Sequence, residues 1–175
     1  AEYMVKNVVY MNWMKGFVMF QNPIALGSII AVSMIRIWSK GLNRVLEFLV
    51  LGASILGAKP FHELVIKAFS YLKSYGFVGK FHSGDFPDIN AFIMIIVYGT
   101  CVFLLVRHSK SNYAPIVGPF IVLVLLIGIG IVNIASSNTL PSDIVGGYVY
   151  GGVWIFFNFL LFEMLRIVLG SMKRG

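Results

Sequence analysis

The chain has 175 residues, of which 58% are hydrophobic and only 12% charged, and its mean hydropathy is +0.86. A soluble domain carries about a quarter charged residues, so there is too little polar surface here to coat a water-facing globule, and a soluble fold is excluded. The net charge of +7 comes from scattered Lys and Arg with no aromatic-basic interleaving, which points to helix-end anchoring and anionic lipid head groups rather than to nucleic acid.

A helix needs about 20 residues to cross a bilayer, so the chain has room for about five or six crossings. The residues read as an all-α integral membrane protein: a bundle of about five transmembrane helices plus interfacial helices, forming a single membrane domain over 1–175. No charged segment followed by an apolar core and a small-residue cleavage site opens the chain, so no signal peptide is expected.

Residues 1–15 place Tyr3, Met4, Val8, Trp13 and Met14 among Glu2, Lys6, Asn12 and Lys15. That pattern suits an amphipathic helix in the interface. The first crossing is expected over 16–37, kinked by Gln21-Asn22-Pro23 and anchored by Arg36, Trp38 and Lys40. The second is expected over 42–58, with Glu47 paired to Arg44 three residues earlier. A second interfacial helix is expected over 61–75, followed by a loop with Gly76, Gly79, Gly84 and Pro87.

The third crossing is placed at 90–106, ending at Arg107 and His108, the fourth at 114–134 and the fifth at 144–169, with Glu163 beside Arg166. Gly147 and Gly151 are four apart, the spacing that lets helices approach closely. Cys101, the lone cysteine, lies in an apolar run and is expected to be a small buried hydrophobe. Gln21, Asn22 and Asn158 are read as interhelical hydrogen-bonding groups, and His108 as an interface anchor.

Basic residues in short loops set the orientation. Loops 38–44 and 107–113 and the tail carry Lys and Arg, whereas 135–143 carries none. The C-terminus is therefore expected on the cytoplasmic side, with loops 59–88 and 135–143 on the opposite face.

The segment Leu140-Pro141-Ser142-Asp143-Ile144-Val145-Gly146-Gly147-Tyr148 resembles the third signature of the type 2 phosphatidic acid phosphatase membrane superfamily. There, Pro-Ser-Asp is followed by an aliphatic pair, a small residue and Gly at the start of the last helix. An interfacial helix and a polar loop between the third and fourth helices also match the family layout. The resemblance covers 42–169, the catalytic core, and implies that one N-terminal crossing is missing or reduced to the interfacial segment.

The family's catalytic residues do not carry over. Lys59 stands where the first signature has its Lys, but Ile66-Lys67 stands where Arg-Pro is expected. The second signature, Pro-Ser-Gly-His, fits in two registers: Phe81-His82-Ser83-Gly84-Asp85 puts Asp85 at the His position, and Phe86-Pro87-Asp88-Ile89-Asn90 puts Asn90 there. In the third, Val132-Asn133 replaces Ser-Arg and Thr139 replaces the nucleophilic His, leaving Asp143. Thr139 is a far poorer nucleophile without a base, and Asn133 offers an amide but no charge to a phosphoryl group.

The catalytic candidates are therefore His82, Asp85, Thr139 and Asp143, with His62 as a second surrogate nucleophile. The lipid-phosphate-binding candidates are Lys59, Lys80 and Asn133. Against these stand blander roles: solvated or interfacial histidines, an N-cap at Asp143 and a snorkelling Lys59. His82 with Asp85 and Asp88 makes at most a loose metal site, since three ligands within one loop are a weak signal. No phosphate-cradling GxxxxGK[ST] loop and no HExxH occur, so no metal and no cofactor are expected. The leading expectation is a non-catalytic membrane protein of this scaffold that binds a lipid phosphate or serves as an integral subunit of a membrane complex. The alternatives are an active lipid-phosphate phosphatase with substituted residues, and an accessory subunit unrelated to the family. The expected partners are membrane lipids and other membrane subunits, not nucleic acid.

Overall fold

The structure is a computed structural model and describes residues 2–40, 43–75, 86–136 and 139–172. Among these residues are seven helices and no strand: α1 Glu2–Gln21, α2 Pro23–Lys40, α3 Arg44–Leu56, α4 Ala58–Ser74, α5 Ile89–Arg107, α6 Ala114–Ser136 and α7 Pro141–Met172. Helices α2, α5, α6 and α7 are long and apolar enough to cross a membrane, and α3 with α4 adds a fifth span if the bent pair counts as one.

The expected boundary between an interfacial segment at 1–15 and a crossing at 16–37 is not where the chain breaks. Helix α1 runs without interruption to Gln21, and the break falls at Asn22. The cause is local. Pro23 has no N–H for the Met19 carbonyl, so the Asn22 N–H closes a tighter turn onto Met19 O at 3.2 Å. Asn22 Oδ1 then accepts from the Ile24 N–H at 3.0 Å. Asn22 thereby caps α2, with Pro23 at its first position. The Phe20 carbonyl at this break accepts from the Tyr98 hydroxyl of α5 at 2.7 Å.

The second expected crossing and the interfacial helix after it are one bent unit. Helix α3 has 13 residues, about 20 Å at 1.5 Å per residue, which is short of a bilayer core of about 30 Å. Helix α4 follows at once, with a bend of 42°. Pro60 cannot donate to the Leu56 carbonyl, and its ring crowds that carbonyl, so the axis turns here. The Gly57 N–H still reaches Ala53 O at 2.9 Å, so the chain stays helical through the bend.

Helix α5 is the centre. Half of its span is buried, against 22% for α6 and 11% for α2. Its buried residues, among them Phe92, Ile96, Val97, Cys101 and Leu104, lie all round the axis, as expected for a helix enclosed by others. Cys101 is fully buried.

Helix α7 runs parallel to α5 along a stripe of glycines. A Cβ on Gly147 would sit 2.6 Å from Asp88 O, one on Gly151 2.4 Å from Ile95 Cγ2, and one on Gly99 of α5 2.8 Å from Ile155. At Gly147 the neighbour is a backbone atom, an approach open only to glycine, and it lets the two axes come together there. At the far end of the stripe Phe103 stacks on Phe159 at 3.9 Å. Helix α6 folds back antiparallel to α5, with Leu126 and Ile129 packed on Met94 and Tyr98.

Candidate functional site

The sequence-level candidates converge on the end of the bundle where α7 begins. Pro141 and Ser142 open α7, and the Asp143 N–H turns back to Leu140 O at 3.0 Å. Asp143 is fully buried. Its carbonyl accepts from the Asp88 N–H at 3.0 Å, while Asp88 Oδ1 caps α5 by accepting from the Ala91 N–H at 2.7 Å. The segment 86–88 thus lies directly on the first turn of α7. Gly146 makes this fit, because a Cβ there would stand 2.4 Å from the Phe86 ring.

His62 reaches the same place from α4. It is buried, and its Nε2 lies 2.8 Å from Pro87 O. A carbonyl only accepts, so the bond requires the hydrogen on Nε2. The imidazole also leans on Phe92 with ring centres 5.1 Å apart. Aromatic contacts wall the site: Phe61 stacks on Trp154 at 4.8 Å and Phe69 meets Phe86 edge-on at 4.7 Å.

The structure therefore brings His62, Asp88 and Asp143 around one short segment. Thr139, half-buried, stands just before α7. Asn133 turns to α1, where its Oδ1 accepts from Gln21 Nε2 at 2.8 Å. Lys59 is exposed on the first turn of α4. His82, Asp85 and Lys80 lie outside the described residues. Among the described residues no group of three His, Cys, Asp or Glu side chains is placed to hold a metal ion.

Chemically this end is a meeting of carboxylates and caps. A phosphoryl-transfer site needs cations around the equatorial oxygens and a nucleophile aimed at phosphorus. Here the buried histidine is engaged by a carbonyl, and Asp88 is engaged as a helix cap.

Sequence reasoning missed the polar cluster at the opposite end. The expected Glu47–Arg44 pair and the expected interfacial place of His108 both give way to contacts between helices. Glu47, fully buried, takes His108 Nε2 on Oε2 at 2.9 Å and has Arg107 Nε 3.5 Å from Oε1. At 3.5 Å the second contact is an ion pair without good hydrogen-bond geometry. Arg107 also donates to Glu163 at 3.0 Å and lies over the Phe162 ring at 4.6 Å. The expected Glu163–Arg166 pair is present at 3.1 Å. The overlooked signal was the orientation argument itself, which put loops 38–44 and 107–113 and the tail on one face and so within reach of each other.

Two further expectations resolve differently. Gln21 does bond between helices, but Asn158 donates to Trp154 O on its own helix at 2.8 Å, and Asn22 serves as a cap. No protein-family model, no curated protein and no solved structure matches the chain.

Proposed function

We propose that this chain is a multi-pass membrane protein built on the helical scaffold of the type 2 phosphatidic acid phosphatases, without their phosphoryl chemistry, and that it works as an integral subunit of a membrane assembly. The observation that carries the reading is the use of polar groups at the Asp143 end. His62 serves Pro87 O, Asp88 caps α5, and the Asp143 carbonyl holds the 86–88 segment. Each group supports the packing of α4, α5 and α7, and none of the three is an arginine or lysine that would hold a phosphate.

The scaffold resemblance draws support from the same place. The Phe86-Pro87-Asp88 register of the second signature lies against the Pro141-Ser142-Asp143 segment of the third, as the family layout implies. A membrane setting is supported by large apolar side chains left exposed on α6, such as Ile116 at 73% and Phe120 at 63%. Water would oppose that surface and lipid would not. The clustering of Lys40, Arg44, Arg107 and Arg166 toward one end supports a cytoplasmic C-terminus.

The subunit role has its own support on α2. Gly27 and Ala31 are four apart and both exposed, and a Cβ on Gly27 would meet nothing within 4 Å. A small-residue pair left exposed among the described residues is where another helix can approach closely. The test of the functional reading is phosphate release by the purified protein in detergent with added lipid, with phosphatidic acid and undecaprenyl pyrophosphate as substrates. No release is expected from folded protein. Release that disappears in His62→Ala or His82→Ala would overturn the reading and name the nucleophile.

A further inference from the structure

We propose that the groove between the start of α3 and the end of α7 binds one anionic phospholipid, phosphate toward Arg44 and Arg166 and acyl chains along the α3 face. The inference rests on the membrane setting proposed above and is independent of the loss of phosphoryl chemistry. The groove holds about 410 Å³, and its lining includes Arg44, Val45, Leu46, Leu49, Arg166 and Leu169.

Its lining combines two chemistries, as a phospholipid does. The wall is aliphatic, and Val45 and Leu49 are 74% and 60% exposed, apolar area that an acyl chain covers. Two arginines line the groove as well. Arg44 is exposed and has no ion pair among the described residues. Arg166 gives Nη1 to Glu163, but a guanidinium carries five donors in a planar fork, so one carboxylate contact does not exhaust it. Among the described residues no carboxylate lines the groove. The nearest acids on α3 and α7, Glu47 and Glu163, are already engaged by Arg107 and His108 and by Arg107 and Arg166. The positive charge of Arg44 therefore has no partner within the described fold.

Asn43, which precedes α3, makes no side-chain cap. The first-turn amides thus add partial positive charge beside Arg44, in support of the arginines. An acidic peptide would find two cations but an otherwise aliphatic wall, so the lining favours a lipid.

The experiment is native mass spectrometry of the full chain in detergent, with phosphatidylglycerol and phosphatidylcholine supplied in equal amounts. Wild type is expected to retain phosphatidylglycerol in preference. Arg44→Gln should lower that retention about fivefold, the effect of about 1 kcal/mol per basic residue facing an anionic lipid. Leu49→Trp, which fills the groove without changing charge, should lower it as well. Lys110→Gln, an exposed basic residue outside the groove, should leave it unchanged. Equal retention of the two lipids, an equal loss in Lys110→Gln, or displacement of the lipid by inorganic phosphate would each overturn the proposal. A chain that stays dispersed without detergent would sink the membrane reading itself, whereas a detergent-requiring chain blind to lipid charge would sink only this inference.

Discussion

At the Arg107 end of the bundle, α3, α5 and α7 are joined through charged side chains; at the Asp143 end, α4, α5 and α7 are joined through backbone groups, caps and glycine contacts. The first end sets two acids among two arginines and a histidine. The second uses Asp88 as a helix cap and the Asp143 carbonyl as an anchor for the segment before α5. Among the described residues, arginines gather at the first end, whereas His62 and Asp88 at the second serve a carbonyl and a helix start.

The sharpest way to break this comparison is Glu47→Ala. It leaves Arg107 and His108 facing a buried gap, and breaking a buried pair from one side costs about 3–5 kcal/mol. The thermal midpoint in detergent should fall further than for any of the substitutions that follow. A small fall would mean that the charged end does not hold the helices together. Next comes Gly147→Ala, whose new Cβ would collide with Asp88 O, a backbone atom that cannot rotate away. Overpacking of this kind costs about 1–3 kcal/mol. Gly52→Ala, with nothing within 4 Å, should be neutral or stabilising by up to about 1 kcal/mol, and the contrast between the two is the check.

His62→Ala should cost about 1–3 kcal/mol by leaving the Pro87 carbonyl without its donor. Hydrogen exchange should rise at the start of α5, and phosphate release should stay at background. Tyr98→Phe removes the donor to Phe20 O and should cost about 1 kcal/mol, read as faster exchange around the α1–α2 break. The smallest effect is expected from Glu163→Gln. Its side chain is 43% exposed, and exposed ion pairs contribute about 0–1 kcal/mol. A midpoint shift for Glu163→Gln as large as for Glu47→Ala would show that burial does not distinguish the two acids.

Much of the fold was legible because long apolar helices announce themselves in the sequence. The expected crossings at 90–106, 114–134 and 144–169 lie within α5, α6 and α7. Gly147 and Gly151 were readable as a close-approach pair, since their spacing alone puts them on one face. Boundaries set by proline were harder. Pro23 reads as a kink and is a helix start, while Pro60 bends the chain between α3 and what reads as a separate interfacial helix. In both cases the missing N–H is visible in the sequence, but how far the chain turns depends on what each side packs against.

The site was less legible. Asp143 as a residue at the start of α7 was readable from Pro141-Ser142-Asp143. Its contact with Asp88 was not, because the two are far apart in the chain and meet only when α5 and α7 pack in parallel. The same holds for Glu47. Arg44 is its nearest basic residue in sequence, yet burial turns the carboxylate inward to Arg107 and His108 while Arg44 stays exposed.

The helices, their approximate number and the close α5–α7 seam were thus written in the chain itself, because apolar length and glycine spacing act locally. Which polar groups meet was settled only by how the helices pack. In a surround as poor in charge as this one, buried Glu47 takes the basic groups that packing brings within reach, and those come from the end of another helix rather than from its own first turn.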